Sequence, residues 1–446
     1  MSDAPWAGRR LHFIGIGGAG MSGLALVARG LGAQVTGSDR ADGPYCERLR
    51  EAGIEPEIGH SAGHLAPGAD VVVSTAIADD NPELQAARAV GAQILHRGDL
   101  LAEVSRLKRC LAVAGTHGKT TTASMVAHAL VSSGHRPAYL IGGEVRSTGA
   151  NASWGQGDWI VVEADESDRS FLKLRPEIAV ITNVELDHHA TYRTLAEVEK
   201  AFAEFASPVP VVLAPVGLEL PAVPPAVTFG IETGALAARD LMLRELGSRF
   251  VVEGVPVELK VPGRHNVMNA LAALAACREA GLPLEEAAPA LASFIGAGRR
   301  FEPHGRSERG ALVYDDYAHH PTEVRATLQA ARTLNAGRVV ACFQPHLYSR
   351  TKYMAGDFGR ALALADVVVV LDVYPARESA EDFPGVSGYL VATATADAAP
   401  GRPVYWLPAL DAAERVLRAE LREGDLLLTL GAGNVDELAK RLGDGA

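Results

Sequence analysis

Short apolar runs recur along the chain, each closing on glycine or small polar residues and then giving way to a helix-compatible stretch. Leu11-His12-Phe13-Ile14 runs into Gly15-Ile16-Gly17-Gly18-Ala19-Gly20, and Met21 to Ala28 then carries helical spacing. Gln34-Val35-Thr36-Gly37 ends in Ser38-Asp39, and Val71-Val72-Val73 ends in Ser74-Thr75. Nearly continuous apolar strands alternating with helices predict a doubly wound parallel sheet, with ligands collecting at the C-terminal strand ends. The pattern resumes in strands at 110–114, 159–163 and 178–182. The Pro-rich stretch 207–225 reads as loops and short edge strands, 266–280 as a helix, and Gly296-Ala297-Gly298-Arg299-Arg300 as a hinge. Strands at 311–314, 338–343, 367–371 and 426–430 follow. The expected fold class is α/β in three consecutive domains: an N-terminal Rossmann-like sheet (1–107), a central P-loop ATPase-like domain (108–297) and a C-terminal Rossmann-like domain (298–446).

The sharpest chemical signal is Gly115-Thr116-His117-Gly118-Lys119-Thr120-Thr121-Thr122, set between the apolar run Cys110–Ala114 and a helical pattern from Ala123 to Leu130. Strand, glycine loop and helix in that order form a phosphate cradle. Backbone N–H groups face the anion, the lysine reaches the terminal phosphates, and a threonine hydroxyl can ligate Mg²⁺. The general loop carries a glycine five residues before Gly118; Val113 stands there, so the loop is of a shortened kind.

Bulk properties narrow the partners. Lys+Arg 42 against Asp+Glu 54 gives a net charge of −12, which argues against a nucleic-acid surface. The four cysteines are dispersed and form no CxxC, so neither a disulfide framework nor a zinc knot is expected. The N-terminal residues show no basic stretch leading into an apolar segment, and no run approaches the length of a membrane span. A cytoplasmic protein without membrane insertion is the expectation, either a monomer or a weak homodimer.

Other clusters sit at further strand ends. Gly15, Gly17 and Gly20 fit G-x-G-x-x-G, with Asp39 about twenty residues on as that fingerprint asks. The loop implies a bound pyrophosphate, and by itself leaves an NAD-dependent oxidoreductase open. Glu163-Ala164-Asp165-Glu166-Ser167-Asp168 offers carboxylates for a nucleotide-bound Mg²⁺ without saying which one binds. Thr182-Asn183-Val184-Glu185-Leu186-Asp187-His188-His189 brings paired histidines to a third strand end. Asn266 reads as an N-cap, while His265 and Asn269, four apart, share a helical face suited to a base or ribose. Asp315-Asp316-Tyr317-Ala318-His319-His320 and Phe343-Gln344-Pro345-His346-Leu347-Tyr348-Ser349-Arg350-Thr351 hold acids, imidazoles and a cation that suit an amino acid.

In order along the chain, HFIGIGGAGMSGLA (12–25), AGTHGKTTT (114–122), EADESD (163–168), TNVELDHH (182–189), HNVMNALAA (265–273), GRRFE (298–302), DDYAHHPTE (315–323) and FQPHLYSRT (343–351) resemble the Mur ligases of peptidoglycan synthesis. The shortened loop GTHGKT belongs to that pattern. The resemblance implies ATP-dependent joining of L-alanine to UDP-N-acetylmuramate through an acyl phosphate, with ATP and Mg²⁺. It implies that Gly115, Thr116, His117, Gly118, Lys119, Thr120, Thr121, His265, Asn269 and Arg300 hold ATP, and that Thr120, Glu163 and His188 ligate metal. It places the UDP-sugar on Gly15, Gly17, Gly18, Ala19, Gly20, Ser38 and Asp39, and the amino acid on Asp316, Tyr317 and His319. Lys119, His188, Arg300, His346 and Arg350 are the implied catalytic set. One departure stands out: Leu347 occupies the place of an arginine in the family pattern, leaving Arg350 or a neighbour to supply the cation. A relative that attaches a preformed peptide to the same sugar nucleotide, and a non-catalytic nucleotide-binding module, are the remaining alternatives.

Overall fold

The computed structural model describes residues 4–223, 225 and 227–444. The chain forms two compact units. One comprises Met1–Val184, Val198–Phe229 and Ala272–Ala290; the other comprises Glu185–Glu197, Gly230–Leu271 and Leu291–Ala446.

The first unit holds two sheets. The N-terminal sheet has five parallel strands, in the order Glu57–Ile58, Gln34–Asp39, Arg10–Ile14, Asp70–Val73 and Ile94–His96. Its central strand is buried from Leu11 to Ile14, and Ile14 and Val71 pack against Leu84 and Ala87 of helix Pro82–Ala89. The second sheet places Arg109–Ala114 between Ile178–Ile181 and Trp159–Glu163, all parallel. Ala138–Val145 extends it parallel on one side, with Ala150–Ser153 antiparallel beyond. On the other side lies Val211–Pro215, hydrogen-bonded both to Ile178–Ile181 and to Val227–Ile231. The Pro-rich stretch therefore contains an interior strand, not an edge: Val212, Leu213 and Ala214 are buried, and Pro215 closes the strand, where a missing N–H costs least.

The second unit carries a three-stranded antiparallel meander, Leu236–Arg244, Gly247–Val252 and Val255–Leu259. It also carries a six-stranded sheet ordered Glu302–Arg306, Leu312–Asp316, Asp425–Leu430, Arg338–Phe343, Val367–Val370 and Val404–Trp406. Only the first pair of that sheet is antiparallel. Val340, Cys342, Val367, Val369 and Leu427 face one core, and Val339, Ala341, Phe343, Val368 and Leu428 face the other, so both faces are covered. Among the described residues no helix is long and apolar enough to cross a membrane.

Candidate active site

Strand Arg109–Ala114 is buried from Cys110 onward and delivers the chain through Gly115–Gly118 into helix Lys119–Ser132. Gly115, at φ 138°, passes so close to Thr182 that a β-carbon would collide with Thr182 Oγ1. Gly118 takes the left-handed region at φ 79° directly before the helix, a conformation that glycine adopts without a steric penalty. The helix opens with no acidic residue and no side-chain cap, so its first-turn N–H groups and positive end face outward as an anion site. The next strand end braces the loop. His117 N donates to Asn183 Oδ1 at 2.9 Å, while Asn183 Nδ2 and Thr182 Oγ1 donate to His117 O at 2.9 and 2.5 Å.

Lys119 Nζ bends back over this loop, donating to Gly115 O at 2.6 Å, Thr116 O at 3.2 Å and Glu166 Oε2 at 2.8 Å. Burial opposes its charge, but Glu166, Asp165 and Glu163 outweigh burial and push its pKa above the usual lysine value. The acidic segment divides into three tasks that spacing alone left open. Glu163 accepts from Thr120 Oγ1 at 2.9 Å and from Gly142 N at 2.7 Å. Glu166 holds Lys119, and Asp165 and Asp168 hold Arg97 Nη2 at 3.0 and 2.9 Å. Thr120 and Glu163 thus bring two oxygen donors together beside the phosphate loop, a donor set whose hardness fits Mg²⁺.

At the first glycine loop, Asp39 Oδ2 accepts from Gly17 N at 2.9 Å, and helix Ala19–Gly30 again opens without an acid or a side-chain cap. Gly18 and Gly20 are exposed. Ser38 departs from expectation. It is wholly buried, its hydroxyl donates to Glu83 Oε2 at 2.5 Å, and its oxygen also meets His60 Nδ1 at 2.9 Å. Glu83 is a hub that also takes Ser61 N at 3.0 Å, His64 Nδ1 at 2.9 Å and His12 Nε2 at 3.2 Å. Burial would raise its pKa, but these donors hold it down to about 2. Ser38 therefore stiffens the strand end from behind, and Asp39 is the residue that meets the loop.

In the second unit, Arg350 is 2% exposed. Its Nε and Nη2 donate to Asp187 Oδ1 and Oδ2, both at 3.0 Å, and Nη1 donates to His346 Nδ1 and His346 O, both at 3.1 Å. Burial acts to raise Asp187, but Arg350 and then His188, His319 and His320 hold its carboxyl well below the usual range. The expected cationic role of Arg350 thus becomes an anchoring one: it joins the segment after Ile178–Ile181 to helix Tyr348–Leu362 and orients His346. His188, at φ 54°, donates its backbone N–H to Asp187 Oδ1 at 2.7 Å. His346 stacks on Tyr374 at 5.9 Å between centroids and lies edge-on to His319 at 5.7 Å. His319 donates Nδ1–H to Tyr317 O at 2.9 Å, leaving Nε2 as an acceptor. Burial lowers His319 to about 4 and His346 to about 2, the latter helped by His319 and Arg350, so both imidazoles are neutral at pH 7.

The hinge residues also separate. Arg299 Nε donates to buried Asp315 at 2.8 Å, and its Nη1 and Nη2 reach Gly433 O at 3.0 Å and Gly431 O at 2.8 Å, which makes it a structural clamp. The Arg300 guanidinium lies 4.8 Å from the Tyr317 ring centroid. Asp316 is spent on backbone: Phe301 N and Ala318 N each donate to it at 2.8 Å, and burial raises it to about 6 against the pull of Arg300. Asn266 is not a cap; it lies inside helix Arg264–Glu279 and donates Nδ2–H to Pro262 O at 2.7 Å. Asn269 Nδ2 donates to Asn266 Oδ1 at 3.2 Å, and burial pushes His265 down to about 4 against Glu323. Leu347 is 5% exposed at φ 71°, with its N–H on Tyr374 O at 3.0 Å. An apolar side chain therefore faces protein at that position, and the guanidinium of Arg350 is engaged by Asp187 and His346.

In the first unit the phosphate loop and its acidic neighbours at parallel strand ends define a nucleotide-binding α/β fold, and the comparisons say of which class. Residues 10–109 match the Mur ligase family catalytic domain, 113–277 the Mur ligase middle domain, and 299–433 the Mur ligase glutamate ligase domain. The chain belongs to the Mur ligase family and has its three-domain α/β fold. It is 45% identical to a UDP-N-acetylmuramate–L-alanine ligase of Rubrobacter xylanophilus, over 97% of this chain and 99% of the relative. It is 48% identical to the enzyme of that name from Kineococcus radiotolerans, over 96% and 94%. The solved UDP-N-acetylmuramate–alanine ligase of Thermotoga maritima superposes with a TM-score of 0.84 at 33% identity, covering 97% of this chain and 98% of that one. A murein peptide ligase from Psychrobacter arcticus superposes at 0.75 and 26%, covering 98% of each.

Proposed function

We propose that this chain joins L-alanine to the lactyl carboxylate of UDP-N-acetylmuramate at the expense of ATP, in cytoplasmic synthesis of the peptidoglycan precursor. The observation that carries the reading is full-length similarity to L-alanine ligases at 45% and 48% identity, together with a TM-score of 0.84 to a solved L-alanine ligase against 0.75 and 0.58 to solved peptide ligases. Membership of a ligase family removes the dinucleotide oxidoreductase reading of the first glycine loop. We place the domain boundaries near residues 107 and 297, with UDP-sugar, ATP and amino acid assigned to the three domains in order.

A carboxylate is a poor electrophile until one of its oxygens becomes a leaving group. ATP supplies that change by phosphorylating the lactyl carboxylate; the alanine amine then attacks the acyl phosphate, and phosphate departs. Gly115–Thr121 cradle the phosphates with backbone N–H groups, as the helix end beyond Gly118 favours. Lys119 exchanges its Glu166 contact for the γ-phosphate and offsets charge as that phosphate moves. Thr120 and Glu163 would hold Mg²⁺, with His188 serving a second ion; bound metal supplies charge neutralisation across the phosphates. The family resemblance also assigns His265, Asn269 and Arg300 to ATP. Tyr317, His319 and His346 surround the amino acid. As neutral imidazoles they orient the amine by hydrogen bonds. Asp316 and Arg350 support this pocket from behind.

ATP turnover in the presence of UDP-N-acetylmuramate tests the reading. L-Alanine is expected to drive phosphate release, and the tripeptide is expected to be a poor acceptor. Preference for the tripeptide would overturn the proposal in favour of a peptide-adding ligase.

A further inference from the structure

A short turn of the second unit holds a cation beside His346. Tyr374 pairs with His346 as a parallel bridge. Tyr374 N donates to Pro345 O at 2.8 Å, Leu347 N donates to Tyr374 O at 3.0 Å, and the two rings stack at an interplanar angle of 11°. A little further on, Glu378 is tied to the same segment: Oε2 accepts from Ser349 N at 2.9 Å and Oε1 from Ser349 Oγ at 2.5 Å. Between these anchors the chain turns, with Glu378 N donating to Pro375 O at 2.9 Å and Ala376 in the left-handed region at φ 51°. Arg377 lies in that turn and is exposed. Among the described residues its guanidinium makes no hydrogen bond and no ion pair. It is close enough to His346 to act on that imidazole, which burial lowers first and His319, Arg350 and Arg377 lower further.

The other arginines of this pocket are committed. Arg350 is held by Asp187, and Arg299 by Asp315, Gly431 O and Gly433 O. Arg300 faces Asp316 and the Tyr317 ring. An arginine only donates, so the bond from Arg350 Nη1 makes His346 Nδ1 an acceptor and leaves the proton of the neutral ring on Nε2. A neutral N–H donor and an uncompensated guanidinium side by side suit a carboxylate. The amino acid of the reaction keeps its α-carboxylate when its amine is acylated, and Leu347 offers that charge nothing. We propose that Arg377 binds the α-carboxylate of the incoming amino acid, supplying from the turn 375–378 the cation that position 347 lacks. This rests on the reading of the chain as an amino-acid ligase and adds to it a substrate-binding residue outside the family motifs. The two anchors lower the cost of the contact, because the backbone that carries Arg377 is ordered before substrate arrives. The contact also sets specificity, since an amine without a carboxylate gains nothing from it.

Steady-state ligase kinetics of the full-length protein and its Arg377→Ala and Arg377→Lys variants test this, with L-alanine and with L-alaninamide, which has the same side chain but no anion. Loss of a charge-assisted contact predicts that KM for L-alanine rises roughly tenfold or more in Arg377→Ala, with kcat and KM for ATP unchanged. L-Alaninamide is expected to be used alike by all three proteins, so the preference for a carboxylate shrinks by the factor that L-alanine loses. Arg377→Lys keeps the charge without the fork and is expected to recover part of that preference. Because Arg377 is exposed and has no partner among the described residues, both variants are expected to melt as wild type does. An unchanged KM for L-alanine in Arg377→Ala would overturn the proposal, as would a wild type that uses both amines equally well. Equal weakening of both amines would mean that Arg377 acts only through His346. A fall in kcat at constant KM would put its charge on the phosphoryl group, and either result also overturns the proposal. A wild-type protein that joins a peptide but neither amine would instead overturn the reading beneath it.

Discussion

Single side chains here are legible from the chemistry of their neighbours. Lys119 is charged and held by Glu166, so it is a poised cation instead of a surface lysine. Lys119→Ala is expected to cut turnover by roughly a hundredfold or more, the scale of losing one transition-state donor, while the chain still folds, with a melting temperature lowered because buried Glu166 loses a counter-charge. A variant with near-normal turnover would remove Lys119 from the mechanism. Gly115 makes a steric prediction. With φ 138° and Thr182 Oγ1 in the space of a β-carbon, Gly115→Ala carries strain of about 1–3 kcal/mol. That strain falls on the loop that cradles phosphate, so calorimetry should find the ATP analogue bound more weakly while UDP binds as before. Lys119 and the two glycines were evident from the motif alone. Glu166 was not separable from its three acidic neighbours, because a strand end fixes where a cluster lies but not which carboxylate turns toward which partner.

Elements are joined by a few buried polar contacts whose loss is measurable. The pair Asp187–Arg350 ties the segment after Ile178–Ile181 to helix Tyr348–Leu362, with neither side chain more than 4% exposed. Asp187→Asn leaves the guanidinium buried without its counter-charge, a loss of about 3–5 kcal/mol read by urea denaturation at neutral pH. The pH dependence has a definite sign. Asp187 titrates in the folded chain below its ordinary value of 3.8, so the stabilisation is present above that pH. It is lost as pH falls from there toward the folded value. The stability gap between wild type and Asp187→Asn should therefore be constant near neutrality and narrow below pH 3.8; a gap that widens with acid would contradict the pairing. The family resemblance implied a catalytic role for Arg350, with it or a neighbour supplying the cation missing at Leu347. The partner that holds Arg350 lies 163 residues earlier, beyond the reach of local pattern. The strand Val211–Pro215 was misjudged for a related reason: proline frequency argues for an edge, but only the neighbouring strands decide whether both sides of it are paired.

For the whole molecule, the dispersed cysteines predicted a chain without disulfides, and Cys46, Cys110, Cys277 and Cys342 are all free and buried. Burial raises the last three to about 12, which suppresses the thiolate. A thiol reagent should find almost no reactive cysteine in the native protein and four after denaturation; rapid native labelling would contradict the burial. The sequence by itself determined the alternation of strands and helices, the phosphate loop, the first glycine loop and the Mur ligase resemblance. Each depends on residues close together in the chain, where backbone sterics and hydrophobic periodicity act directly. Tertiary structure alone decided that Ser38 and Arg350 are internal, that Asp316 is spent on backbone N–H groups, and that Arg97 bridges two strand-end loops. Those outcomes depend on which distant groups become neighbours, and a buried charge or hydroxyl takes its role from the partner that satisfies it.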